Sequence, residues 1–139
     1  HDANYQYFTF SQEDRQRLRP VALFDLIVNN ADRKGGHILF DAEDHLWLID
    51  HGLCFHVEDK LRTVIWDFGG QPIPAEPIQA LEKMLFELEK SPSALTRLLS
   101  RLLAPVEISA MAERTRQLLL TRIFPLPLPN RRPYPWPPI

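Results

Sequence analysis

Nine consecutive residues, Asn29-Asn30-Ala31-Asp32-Arg33-Lys34-Gly35-Gly36-His37, place a carboxylate, two cations, a Gly-Gly pair and an imidazole in one short stretch. A little further on, Leu48-Ile49-Asp50-His51-Gly52 returns a carboxylate at the end of an apolar run. The combination is that of a site handling a metal-bound nucleotide and moving a phosphoryl group. Asp32 is the expected base, facing an acceptor hydroxyl, while His37, five residues on, turns back toward a metal at the nucleotide phosphates. Lys34 is expected to neutralise charge on the transferring phosphoryl group. Asp50 is the expected principal metal ligand, because Mg²⁺ prefers hard anionic oxygens together with phosphate oxygens.

These residues need elements to hold them. Ser11-Gln12-Glu13-Asp14 reads as a helix N-terminus, a serine oxygen capping the backbone and acidic residues suiting the dipole. A helix is expected over 12–28, kinked or restarted at Pro20, with Val21, Phe24, Ile27 and Val28 on its apolar face. The Asp32 loop hangs from its C-terminal end. Ile38-Leu39-Phe40 and Leu46-Trp47-Leu48-Ile49, separated by Asp41-Ala42-Glu43-Asp44, read as a hairpin. An antiparallel return then brings Asp50 back beside His37 and the Asp32 loop.

From 53 to 77 glycines and prolines argue for an extended loop. Helical periodicity follows: Ala80, Leu81, Met84, Leu85 and Leu88, a cap at Ser91-Pro92, then Leu95, Leu98, Leu99, Leu102 and Leu103. Pro105 opens a last helix facing Ile108, Met111, Ala112, Thr115, Leu118, Leu119 and Ile123 inward. These leucines read as core. The tail, 125–139, holds seven of the 13 prolines and is expected to be an extended strap packing Tyr134 and Trp136 against the domain; its other reading is a ligand for an aromatic groove on another protein. The fold class expected is mainly α with a small β-hairpin (α+β).

Composition bounds the rest. A chain of 139 residues, 45% hydrophobic and 24% charged, suits one domain burying roughly two-thirds of its unfolded surface. The formal charge of −2, with scattered basic residues, gives no electrostatic case for a nucleic-acid partner. One cysteine, Cys54, allows no internal disulfide, and no apolar run approaches the ~20 residues of a transmembrane segment. A cytoplasmic location is expected.

The spacing of Asp32 and His37 matches the kinase catalytic loop H-R-D-L-x-x-x-N. More closely, Asn30-Ala31-Asp32-Arg33-Lys34-Gly35-Gly36-His37 followed by Ile49-Asp50-His51-Gly52 resembles the catalytic and metal-binding loops of phosphatidylinositol 3-/4-kinase-like proteins. The type II phosphatidylinositol 4-kinases are nearest in style, with an N-x-D-R loop and an I-D-N-G metal motif. The stretch 24–66 and the ending Tyr134-Pro135-Trp136-Pro137-Pro138 resemble an uncharacterised bacterial branch of that superfamily. The resemblance implies a kinase-like C-terminal lobe over 1–124, with the catalytic loop at 29–37, the metal motif at 48–52 and helices after about 77. It also implies ATP with Mg²⁺ or Mn²⁺ as cofactor, Asp32 as base, Asp50 and His37 as metal ligands, and Ile49 beside them at the nucleotide.

Two departures qualify what is carried over. His37 stands where asparagine is expected, and imidazole suits Mn²⁺ or Zn²⁺ better than Mg²⁺. No glycine-rich phosphate loop precedes 29–37, and the lysines, Lys34, Lys60, Lys83 and Lys90, all lie within or after it, so nothing matches the phosphate-clamping lysine. The N-lobe is therefore expected to lie outside this chain, which is read as a piece of a longer protein with little activity alone. Asp67-Phe68-Gly69 spells a kinase metal motif but sits in the loop, so Asp67 is expected to be a solvated turn residue.

Two rival readings are weighed beside this one. His37, His51, His56 and Cys54 with Asp32 and Asp50 are zinc-ligand types that could serve a hydrolase. There is no H-E-x-x-H helix or paired C-x-x-C to support it, and His45 and His56 read as ordinary surface histidines. The other is a pseudokinase-like binding module, which the histidine at 37 and the missing lobe make reasonable. The phosphate acceptor, whether protein, lipid or small molecule, stays open; 55–63 carries no cluster of lysines and arginines for a lipid headgroup.

Overall fold

A computed structural model describes residues 5–90 and 92–139. A 3₁₀ turn, Tyr7–Thr9, leads into α1, Gln12–Gln16, where Ser11 Oγ accepts the Asp14 N–H at 3.1 Å as its cap. The helix stops at Arg17 and Leu18 and restarts as α2, Arg19–Val28, with Pro20 in its first turn. Proline is tolerated there because first-turn amides have no intrahelical acceptor. Val21, Ile27 and Val28 are buried as the periodicity predicts, but Phe24 is not. The buried stripe is rotated toward Ala22, Leu23 and Asp25, for reasons that lie in the site.

β1, Ile38–Phe40, and β2, Leu46–Leu48, pair antiparallel with Ile38 opposite Leu48. The Asp41 carboxylate builds the connecting turn: Oδ1 accepts the amides of Glu43 and His45 at 3.0 and 2.9 Å, and Oδ2 the Trp47 indole at 2.7 Å. These bonds hold its carboxyl below the usual range. The fold class is α+β: three further helices, α3 (Ala75–Glu89), α4 (Ala94–Leu99) and α5 (Pro105–Thr121), follow the hairpin.

The connection over 53–74 is irregular but not loose. Val64, Ile65, Phe68 and Ile73 are buried in it, and isolated bridges join Arg33 to Thr63 and Pro72 to Ile123. Asp67 is not a freely solvated residue, since its carboxylate accepts the Tyr7 hydroxyl and meets the Arg15 guanidinium at 3.5 Å. Burial and that bond push the Tyr7 phenol well up. Pro77, read from sequence as loop, lies inside the first turn of α3, again where its missing amide costs nothing.

α3 packs on α4 and α5, and α5 on α2. Leu81, Leu88, Met111, Ala112 and Leu118 are core residues as expected, whereas Leu98, Leu102 and Ile123 are exposed and Ala80 gives its place to Ile78. The cap of α4 is Ser93, whose Oγ accepts the Thr96 amide at 3.0 Å; Ser91, expected in that role, lies outside the described residues. A capping box needs its serine three residues before its partner, and Ser93 has one in Thr96.

The tail runs back along the domain as a strap, but not through its aromatic rings. Pro135 is fully buried, while Trp136 is 75% and Tyr134 49% exposed. Anchoring comes from carbonyls, which proline retains: Pro133 O accepts the Thr63 amide at 3.0 Å and the Trp66 indole at 3.2 Å, and Pro138 O accepts the Gly35 amide at 2.8 Å. Among the described residues no helix is long and apolar enough to cross a membrane.

Candidate functional site

α2 ends on Asn29, at φ 55° and ψ 52°, a left-handed conformation that asparagine adopts more readily than most residues. The turn buries its side chain. Asn29 Nδ2 donates to the carbonyls of His56 (2.8 Å) and Glu58 (2.6 Å), and Oδ1 accepts the Lys60 amide at 3.0 Å. One amide thus clamps the 56–60 loop. Asn30, also buried, donates Nδ2 to Asp25 Oδ1 at 3.0 Å and accepts the Asp32 amide on Oδ1 at 3.0 Å.

Arg33 is the centre of this wiring. It is fully buried and forks onto Asp25, Nε lying 3.1 and 3.0 Å from the two carboxylate oxygens and Nη2 3.0 Å from Oδ1. Its Nη1 donates to the Ile49 carbonyl at 3.1 Å, one residue before Asp50. Burial pushes the Asp25 carboxyl up against the opposing pull of Arg33 and Asn30. A charge taken out of water is tolerated only when paired and hydrogen-bonded, and here every facing group serves that purpose. This explains the rotation of α2: Asp25 must face inward, and Phe24 is turned out.

The chemically apt residues point the other way. Asp32 and Lys34 are partly exposed, with Oδ2 and Nζ 3.8 Å apart. The hairpin returns the chain as expected: the Ile49 amide donates to the His37 carbonyl at 3.1 Å, and His37 Nε2 lies 3.6 Å from Asp50 Oδ2. Asp50 sits at φ 56° with its side chain 62% exposed, and Ile49 is exposed beside it. His37 Nδ1 accepts the Lys34 amide at 3.5 Å.

The loop is closed in from both ends of the chain. A Cβ on Gly35 would fall 2.9 Å from Phe8 Cε2, so the Tyr7–Thr9 turn seats directly on it, while its amide is taken by Pro138. A larger residue there would require the half-exposed Phe8 ring and the Gln6 side chain to move aside.

A divalent cation shared by Asp50 and His37 would have one carboxylate oxygen and one imidazole nitrogen, leaving its other positions to phosphate or water. One carboxylate and one imidazole as donors suit Mn²⁺ better than Mg²⁺. The wider zinc set does not come together. His51 packs edge-on against Phe24 at 5.5 Å, His56 Nδ1 accepts the Glu58 amide at 3.0 Å, and Cys54 is half-buried against the core. Among the described residues no three of histidine, cysteine, aspartate and glutamate are grouped to hold a metal. Burial, then the Arg33 charge, hold His51 below the usual imidazole range, and burial raises the Cys54 thiol.

Sequence reasoning named Asp32, Lys34, His37, Ile49 and Asp50 but not Asp25, or the roles of Asn29, Asn30 and Arg33. A signal existed: Asp25 interrupts the apolar stripe between Val21 and Val28, and a buried carboxylate on such a stripe demands a cation nearby.

Comparison with known proteins adds one relative. Protein Rv2133c of Mycobacterium tuberculosis is 44% identical over 124 residues, covering 89% of this chain and 43% of that protein. The chain thus has a bacterial relative and spans under half of its length. No family model matches the chain, and no solved structure matches it.

Proposed function

We propose that this chain is the C-terminal catalytic lobe of an ATP-dependent phosphotransferase resembling the phosphatidylinositol 3-/4-kinase-like enzymes, transferring the γ-phosphate to a hydroxyl acceptor. The observation that carries the reading is the 3.6 Å approach of His37 Nε2 to Asp50 Oδ2, created by the hairpin on the same loop that presents Asp32 and Lys34. In this reading Asp32 accepts the acceptor hydroxyl's proton as its oxygen bonds to the γ-phosphorus and the bond from that phosphorus to the bridging oxygen breaks, releasing ADP, and Lys34 offsets charge on the phosphoryl oxygens. Asp50 and His37 are the metal ligands, and Ile49 lines the nucleotide side. If Mg²⁺ or Mn²⁺ is bound there by Asp50 and His37, it would supply neutralisation of phosphate charge. Arg33 acts through the backbone, fixing the Asp32 loop to the carbonyl before Asp50.

The test is ATP turnover by the full-length protein in Mg²⁺ and in Mn²⁺. Asp32→Asn and Asp50→Asn should each lower it at least 100-fold while leaving the folded state intact. Full activity in both variants would overturn the proposal. The 139-residue chain alone is expected to turn over little ATP.

A second reading, a pseudokinase-like binding module, rests on the imidazole of His37 standing where the resembled catalytic loops carry an asparagine. It is separated from the first by nucleotide binding without turnover in the full-length protein, unaffected by Asp32→Asn.

A further inference from the structure

The tail is held in two unequal halves. Residues 122–133 are tied down at close intervals: the Gln71 carbonyl accepts the Phe124 amide at 2.9 Å, the Pro133 carbonyl accepts from Thr63 and Trp66, and Arg131 pairs with Asp59 at 2.6 Å. Over 134–139 a single hydrogen bond remains among the described residues, from the Gly35 amide to the Pro138 carbonyl at 2.8 Å. Pro135 is fully buried, but Trp136 and Ile139 are exposed, so little else opposes detachment.

The candidate loop depends on that same bond. Arg33 is joined to 62–64 through both its amide and its carbonyl, and the His37 carbonyl accepts the Ile49 amide beyond the hairpin. Among the described residues, the bond to Pro138 is the only backbone hydrogen bond tying 34–36 to another element; the His37 and Ile38 amides return to Lys34 and Gly35 within the loop itself. Gly35 is buried, and a buried amide without a partner is costly, so the strap carbonyl holds this turn in its place.

Composition makes such a contact easy to close. Three of the six residues 134–139 are prolines, whose φ is fixed before and after release, so ordering them costs less entropy than ordering an ordinary chain. A segment kept by one hydrogen bond and one buried ring lies at the low end of local stability, able to open while the helices stay folded.

We propose that residues 134–139 form a releasable clasp on the candidate loop. Closed, the strap fixes 34–36 and with them Lys34; open, it frees the Gly35 amide while the domain stays folded. The clasp is independent of the phosphotransfer reading. Under that reading its opening unseats Lys34 and lowers turnover without unfolding.

The experiment is amide hydrogen exchange of the 139-residue chain, followed by NMR at Gly35 and at Met111, Ala112 and Leu118 of α5 in rising, sub-denaturing urea. Gly35 is expected to be at least 30-fold less protected than the α5 amides, with almost no dependence on urea, because local opening exposes little surface. Pro135→Asp, which puts a charge in the place of the buried proline, should lower Gly35 protection at least tenfold further and leave the α5 amides within threefold. Protection of Gly35 equal to that of α5 in size and urea dependence would overturn the proposal. So would Pro135→Asp leaving Gly35 unchanged, or unfolding the whole domain, since the strap would then be no clasp or an inseparable part of the core.

Discussion

The loop 29–37 has two sides built on opposite principles. Asn29, Asn30 and Arg33 face inward, are buried, and spend their hydrogen-bonding capacity on Asp25, the 56–60 loop and the Ile49 carbonyl. Asp50 is exposed, Asp32 and Lys34 are partly so and His37 is largely covered, and the side-chain contacts Asp32–Lys34 and His37–Asp50 are 3.8 and 3.6 Å, longer than good hydrogen bonds. The inner side is saturated and the outer side is not. A group already satisfied by the protein has little left for a ligand, while a loosely partnered one can exchange its partner for substrate or metal. In the proposed function, stability and chemistry would be divided between different residues of one short segment.

The sharpest way to break this division is to remove the inner cation. Arg33→Met leaves Asp25 buried and unpaired and is expected to cost about 3–5 kcal/mol in chemical denaturation. Combining it with Asp25→Leu should recover most of that loss, because the uncompensated charge is then gone. Asn29→Ala, which frees three backbone groups of the 56–60 loop and loses a left-handed cap residue, is expected to cost about 2–3 kcal/mol and to speed proteolysis in that loop. Gly35→Ala places a methyl group 2.9 Å from the half-exposed Phe8 ring, which can swing aside, and should cost no more than about 1 kcal/mol, restored when Phe8→Ala is added. On the outer side Asp50→Asn is expected to change stability by no more than about 0.5 kcal/mol. A loss there as large as that of Arg33→Met would end the distinction.

The smallest effect concerns pH. His51 has its folded pKa lowered by burial and then by Arg33, so the unfolded chain takes up its proton first as pH falls below the usual imidazole value of about 6.5. Stability is therefore retained above about pH 6.5 and declines as pH falls below it, by a few tenths of a kcal/mol given how exposed the ring is. His51→Phe, which keeps the packing on Phe24, should flatten that slope in thermal melts at pH 7 and 5.5.

Much of the frame was legible from residue patterns. The Ser11 cap, the restart at Pro20, the hairpin and its return of Asp50 to His37 each depend on local chemistry that a sequence states directly: an oxygen acceptor, a missing amide, a period of two. The errors share another cause. Phe24 fits the helical period but is turned out by the inward Asp25, Leu98 is exposed on α4, and Leu102 lies beyond the end of α4 at Leu99; periodicity states neither where a helix stops nor which face is covered. Apolar area alone predicts Tyr134 and Trp136 inward, whereas both are exposed and the strap is held by the carbonyls of Pro133 and Pro138, an anchoring mode that side-chain type does not disclose.

What the sequence by itself determined is the set of groups able to do chemistry and the short-range geometry joining them, because a hairpin of fixed register brings residues 37 and 50 together whatever surrounds it. Only the tertiary structure decided which residues of the loop are scaffold. Asp25 and Arg33 are ordinary surface residues by type, and their role arises from being enclosed by α2, the 53–74 connection and the tail. Enclosure removes water, and a charge without water must find its partner inside the protein.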